Sequence, residues 1–85
     1  MKIKYKLKFE ATCPSDKQII KYKAIIFTEE FQSVENINSY VSSLKDEKIY
    51  QEDLTKRMSR DFRGRVVTYG KHQGVKIKCE CNFFV

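Results

Sequence analysis

Between Met1 and Lys8 the chain alternates strictly, with lysine at every even position and an apolar residue at every odd one, and Phe9 and Ala11 continue the odd set. Successive side chains of a β-strand point to opposite faces, so this period of two predicts a strand over residues 2–11 with one apolar face and one lysine face. The segment Thr12-Cys13-Pro14-Ser15-Asp16-Lys17 reads as a turn, because Pro, Ser and Asp each favour tight backbone reversals. A second strand is predicted over 18–28, rich in Ile, Phe and Tyr, with Lys21 and Lys23 on one face. A connection this short favours an antiparallel hairpin.

The period then changes. Ser33 is a suitable N-cap, and Val34, Ile37, Val41 and Leu44 form one stripe of a helix, with Tyr40 beside it. Lys45-Asp46-Glu47-Lys48 interrupts that pattern. A second helix is expected from about Tyr50 to Phe62, with Tyr50, Leu54, Met58 and Phe62 on its apolar side and Gly64 ending it. Residues 65–70 read as a strand, Tyr69 to Gly74 as a turn and 75–83 as the last strand. In that strand Val75, Ile77, Cys79, Cys81 and Phe83 oppose Lys76, Lys78, Glu80 and Asn82. The predicted order is β-β-α-α-β-β: one α+β domain over residues 1–85, an antiparallel sheet with helices packed on one face.

Composition narrows the function classes. The chain has 85 residues, 41% of them hydrophobic and 33% charged, with only one Pro and three Gly, which fits one small folded domain. No stretch approaches the roughly 20 apolar residues of a membrane span, and the amino terminus lacks the apolar core of a signal peptide. A cytoplasmic protein is expected. Three cysteines, Cys13, Cys79 and Cys81, are an odd number for a disulfide framework. A metal site would need Cys13 and His72 to join Cys79 and Cys81; with no C-x-x-C spacing, neither metal nor cofactor is expected.

The net charge of +6 is segregated: +5 over residues 1–28, −5 over 29–55 and +6 over 56–85. Such an arrangement builds a field that attracts anions. Three basic sets stand out. Lys2, Lys4, Lys6 and Lys8 on the first strand, Lys21 and Lys23 on the second, and Lys76 and Lys78 on the last would share one open face. Lysine on exposed strands also guards against edge-to-edge aggregation, but one or two residues suffice for that. Lys56, Arg57, Arg60, Arg63 and Arg65 form the second set. Glu52–Lys56 and Asp53–Arg57 are favourable i,i+4 pairs and Asp61 is a further partner for Arg57, whereas Arg60, Arg63 and Arg65 have no such local partner. Arginine forks suit phosphate. The third set is Lys71 and His72, next to Tyr69, at a hairpin tip that can reach a groove or stack on an unpaired base.

These sets predict nucleic-acid binding through Lys2, Lys4, Lys6, Lys8, Lys21, Lys23, Arg57, Arg60, Arg63, Arg65, Lys71, Lys76 and Lys78. No helix-turn-helix, zinc-finger, KH or RNP box is present, so phosphate contacts rather than base readout are expected. With one histidine and no Gly-rich phosphate loop, no enzymatic activity is expected; His72 with Lys71 and Tyr69 is the one nuclease-like grouping. Phe84 falls on the lysine parity, and Phe27, Val67 and Tyr69 are candidates to share that face. Apolar residues within a basic surface point to a homodimer or to an acidic protein target.

In length, in the Lys2–Lys8 run and in the Arg57–Arg65 cluster the chain resembles the small inhibitors of the ToxN endoribonuclease carried by T4-type phages. That resemblance implies a non-catalytic counter-defence protein in the cytoplasm of a host cell. It would bind RNA and join the toxin of a toxin-antitoxin system in a ribonucleoprotein complex. The lysine and arginine positions above come from the residues themselves and not from the resemblance.

Overall fold

The computed structural model describes residues 1–83, and Phe84 lies outside them. Strands β1 (Ile3–Thr12) and β2 (Ile19–Thr28) are followed by helices α1 (Val34–Ser42) and α2 (Gln51–Phe62), then by strands β3 (Arg65–His72) and β4 (Val75–Cys81). The four strands form one antiparallel sheet in the order β1-β2-β3-β4, and both helices pack on one of its faces. The α+β architecture is thus the one that the change of period predicts.

Register follows from the pleat. Phe9 lies opposite Tyr22, Leu7 opposite Ala24 and Tyr5 opposite Ile26, so the odd residues of β1 and the even residues of β2 share the covered face. Val66 continues that row from Ile26, and Thr68 from Ala24. The core joins Phe9, Ala11, Ile20, Tyr22, Ala24, Ile26 and Val66 to Ile37, Leu44, Leu54, Met58 and Phe62 from the helical layer.

Ser33 caps α1 by accepting a hydrogen bond from the backbone N–H of Asn36 at 3.1 Å. Ile37 and Leu44 are buried and Val41 is partly buried, but Val34, the first residue of α1, is 63% exposed. In α2 the residues Leu54, Met58 and Phe62 are buried as their spacing predicts, whereas Tyr50 precedes the helix and is 49% exposed. A second row of α2, Gln51, Thr55 and Ser59, is buried as well. Each of its side chains finds a partner: Thr55 Oγ1 lies 2.7 Å from Gln51 O and 2.6 Å from Thr68 Oγ1, and Ser59 donates to Gly64 O at 2.6 Å. Gln51 Nε2 donates to Thr68 O at 3.2 Å and to Ile77 O at 3.1 Å.

Two turns depart from expectation. The β3–β4 turn is only Gln73-Gly74, with φ of 50° and 83°, the two left-handed residues that a tight two-residue hairpin requires. Tyr69, Gly70, Lys71 and His72 are therefore strand, and Gly70 is needed there because a Cβ would meet the Tyr22 ring at 2.6 Å. After α2 the chain turns at Arg63, φ 51°, and not at Gly64. Gly64 answers a steric demand instead: a Cβ there would lie 2.2 Å from the carbonyl oxygen of Phe27. Backbone cannot yield as a flexible side chain can. Gly64→Ala should therefore lower stability by about 3 kcal/mol and the melting temperature by some 15 °C. Gly74→Asn, in open space, should cost under about 1 kcal/mol, and thermal denaturation of both variants checks the contrast.

Candidate nucleic-acid interface

With both helices on one side, the other face of the sheet is bare. Register places on it Lys4, Lys6, Lys8 and Glu10 of β1, Ile19, Lys21, Lys23, Ile25 and Phe27 of β2, Arg65, Val67, Tyr69 and Lys71 of β3, and Lys76, Lys78 and Glu80 of β4. Nine basic residues thus face two acids. Lys71 belongs to this set, and Lys2 precedes β1.

The cations are not evenly spread. One cross-sheet row reads Lys8, Lys23, Tyr69, Lys78, because Lys8 lies opposite Lys23, Lys23 opposite Tyr69 and Tyr69 opposite Lys78. Lys71 lies opposite Lys76 in the next row. Like charges directly opposite each other oppose folding, so two such pairs on one face are a cost that core packing does not explain. Tyr69 is 40% exposed at the centre of this field. Two shallow hollows flank it. One of about 440 Å³ is lined by Lys6, Lys8, Lys23 and Ile25, the other, of about 340 Å³, by Lys21, Lys71, Lys76 and Lys78.

The other basic residues lie at the edge of this field or away from it. Lys2, Lys4 and Arg63 line a separate hollow at the opposite end of the sheet, together with Glu29 and Glu30. Arg65 and Glu80 form an ion pair across β3 and β4, and the Arg65 guanidinium stacks 4.9 Å from the Phe27 ring centroid. Arg57 lies in the helical layer, where both its terminal nitrogens hold Glu47 at 2.7 and 2.8 Å, and not Asp53 or Asp61. Arg60 pairs with Asp61 at 3.1 Å. Arg57 and Arg60 are therefore not brought to the lysine face, and Arg60 and Arg65 do have carboxylate partners. Asp61 is the next residue along the chain, a pair that i,i+4 spacing does not count, and Glu80 is brought to Arg65 by the pairing of β3 with β4.

His72 is also displaced. Its parity turns it to the covered face, away from Tyr69 and Lys71, and its Nε2 lies 2.7 Å from Asp16 Oδ2. The hairpin grouping of these three residues is thus divided between two faces of one strand. Cys79 and Cys81 occupy the covered parity of β4.

Neither a protein-family model nor a curated protein sequence matches the chain. Among solved structures, the crystal structure of the archaeosine synthase QueF-Like in the apo form superposes with a TM-score of 0.83 at 15% sequence identity, covering 96% of this chain and 92% of that one. The likeness is one of fold. At that identity the surface must be interpreted from its own residues. No helix among the described residues is long and apolar enough to cross a membrane.

The Arg57–Glu47 and Arg65–Glu80 ion pairs are separable from the lysines by acid. Hydrogen bonds from Arg57 hold the Glu47 carboxyl below its usual range, and those from Arg65 do the same for Glu80. A carboxyl whose folded value is depressed contributes stability above its unfolded value near 4.3, and loses it as pH falls through the folded value. Melting temperature should accordingly drop on acidification from about pH 5 to about pH 2, and less steeply in the double variant Glu47→Gln, Glu80→Gln.

Proposed function

We propose that the open face binds RNA through phosphate contacts, with Tyr69 as a stacking platform for an unpaired base. The observation that carries this reading is the pair of opposed lysines on either side of an exposed aromatic: Lys8 with Lys23, and Lys71 with Lys76, around Tyr69. A polyanion relieves the repulsion within each pair, and release of its counterions supplies affinity. A flat sheet face with an upstanding aromatic suits splayed single-stranded bases better than it suits a duplex, whose bases are already stacked. The residues assigned to this role are Lys6, Lys8, Lys21, Lys23, Lys71, Lys76 and Lys78, with Lys2, Lys4 and Arg63 as a peripheral extension. Arg57 and Arg60 are assigned to the helical layer.

In the setting that the resemblance to phage ToxN inhibitors implies, the protein is a non-enzymatic counter-defence factor that engages a toxin endoribonuclease together with RNA. Phe31, 79% exposed in the β2–α1 connection, and Val34, 63% exposed at the start of α1, lie outside the lysine field and offer the apolar contact for such a protein partner. RNA and toxin would then occupy different parts of one small domain.

Fluorescence anisotropy with labelled single-stranded RNA, duplex RNA and duplex DNA tests the binding mode. Single-stranded RNA should bind most tightly, with a log–log salt slope of roughly −3.5 if about five phosphates are neutralised. Charge reversal at Lys8, Lys23 and Lys78 should abolish binding. Tyr69→Ala should weaken single-strand binding by roughly 5- to 150-fold while leaving the salt slope unchanged, because stacking on an aromatic contributes about 1–3 kcal/mol. Arg57→Ala should leave affinity intact. Binding unchanged in the triple variant would sink the electrostatic reading, and a duplex preference unaffected by Tyr69→Ala would remove the stacking role.

A further inference from the structure

At the end of the sheet away from Arg63, one turn and one strand bring together three metal-ligating side chains. The Cys13 sulfur, an Asp16 carboxylate oxygen and a His72 ring nitrogen all lie within 4.8 Å of one another. Cys13 and Asp16 come from the β1–β2 turn, which is held by its own backbone: Cys13 N–H donates to Gln18 O at 2.8 Å, and Lys17 N–H donates to Cys13 O at 2.9 Å. Lys17 adopts the left-handed conformation, φ 61°, that lets the chain reverse there. His72 is the last residue of β3 and reaches the turn across the end of β2.

We propose that Cys13, Asp16 and His72 form a binding site for a divalent transition metal, zinc in the first instance. The donor set is sulfur, imidazole nitrogen and carboxylate oxygen, which suits a borderline-soft ion and discriminates against magnesium and calcium. A tetrahedral zinc site separates its nitrogen and oxygen ligands by about 3.3 Å, so the 2.7 Å contact between His72 Nε2 and Asp16 Oδ2 has to open by roughly half an ångström. On loading, the Cys13 thiol gives its proton to solvent, and a neutral His72 carries its ring hydrogen on Nδ1, so that the Nε2 lone pair, the thiolate and the Asp16 carboxylate take the ion.

Outer contacts that orient such ligands are already in place. Asp16 Oδ1 accepts the backbone N–H of Gln18 at 3.0 Å, and Asp16 Oδ2 accepts Gln73 Nε2 at 3.2 Å. The Cys13 sulfur lies 3.2 Å from Ser15 Oγ. An ion pair alone would involve only Asp16 and His72. A thiol 3% exposed beside both is the third ligand that turns the pair into a chelate. Cys13 and His72 also line a cavity of about 110 Å³, together with Ile20, Tyr22, Ile49, Ile77 and Glu52. Cys79 and Cys81 lie further along β4, outside this group.

Cobalt(II) titration of the full chain, reduced and stripped of metal, tests the site without any variant. The expected result is saturation at one equivalent, with a near-ultraviolet thiolate-to-cobalt band and the strong visible bands of four-coordination, all displaced by zinc. Zinc should also raise the melting temperature. Cys13→Ser should remove the thiolate band, and His72→Ala should weaken binding by more than about tenfold. The double variant Cys79→Ser, Cys81→Ser should behave as the parent. Absence of a thiolate band or of stoichiometric binding in the parent chain would overturn the proposal. So would a band that survives Cys13→Ser or disappears with Cys79 and Cys81.

Discussion

The hydroxyls of Thr55 and Thr68 meet 2.6 Å apart beneath helix α2, both essentially inaccessible to water. An unpaired hydroxyl at that depth would cost on the order of 1–3 kcal/mol, so the two groups hold each other in place. Around them Gln51 bonds Thr68 O and Ile77 O, and Ser59 closes on Gly64 O. Apolar contacts tolerate sliding of a helix over a sheet; these directional bonds do not. They fix α2 over β3 and β4, and Leu54, Met58 and Phe62 enter the core at one register. Which face of the sheet is covered, and which is left to water, follows from this contact.

Once that choice is made, the two layers carry different charge. Glu29, Glu30, Glu35, Asp46, Glu47, Glu52, Asp53 and Asp61 all belong to the helices and their connections, where Glu47 pairs with Arg57 and Asp61 pairs with Arg60 and accepts the Tyr40 hydroxyl. The open face holds mostly lysine. Arginine's planar fork suits an ion pair of fixed geometry, whereas lysine binds phosphate as a point charge on a flexible stem and needs no fixed geometry. The arginines, with planar forks, are spent where geometry is fixed: Arg57 on Glu47, and Arg65 on Glu80 and Phe27. The division between the two cations corresponds to the division between internal structure and external binding.

Strands, helices and the lysine face were legible because each is written in local periodicity. Lys4, Lys6 and Lys8 project as their alternation requires, and Ser33 caps α1 as its position requires. What could not be read was set by contacts distant in sequence. Gln51, Thr55 and Ser59 look like a solvated helix face, and become core only because Thr68, Ile77 and Gly64 supply partners. Gly70 looks like a turn, and is strand because Tyr22 needs the space. Arg65 looks unpaired until the pairing of β3 with β4 places Glu80 beside it. Asp16 passes as a turn residue until His72 arrives from across the sheet.

The fold likeness to an archaeosine synthase QueF-Like structure at 15% identity sharpens the point about where function resides. A β-β-α-α-β-β scaffold constrains the inward parity of each strand, since those residues must pack under two helices. It places almost no demand on the outward parity. There, selection is free to act on anything that does not prevent folding, and the opposed pairs Lys8–Lys23 and Lys71–Lys76 work mildly against folding. Residues that the core does not require and that local electrostatics disfavours are the ones for which an external anion is the economical physical explanation. Tyr69 fits the same logic, as a large aromatic left 40% exposed on a strand where burial of its neighbours Val67 and Thr68 was achieved.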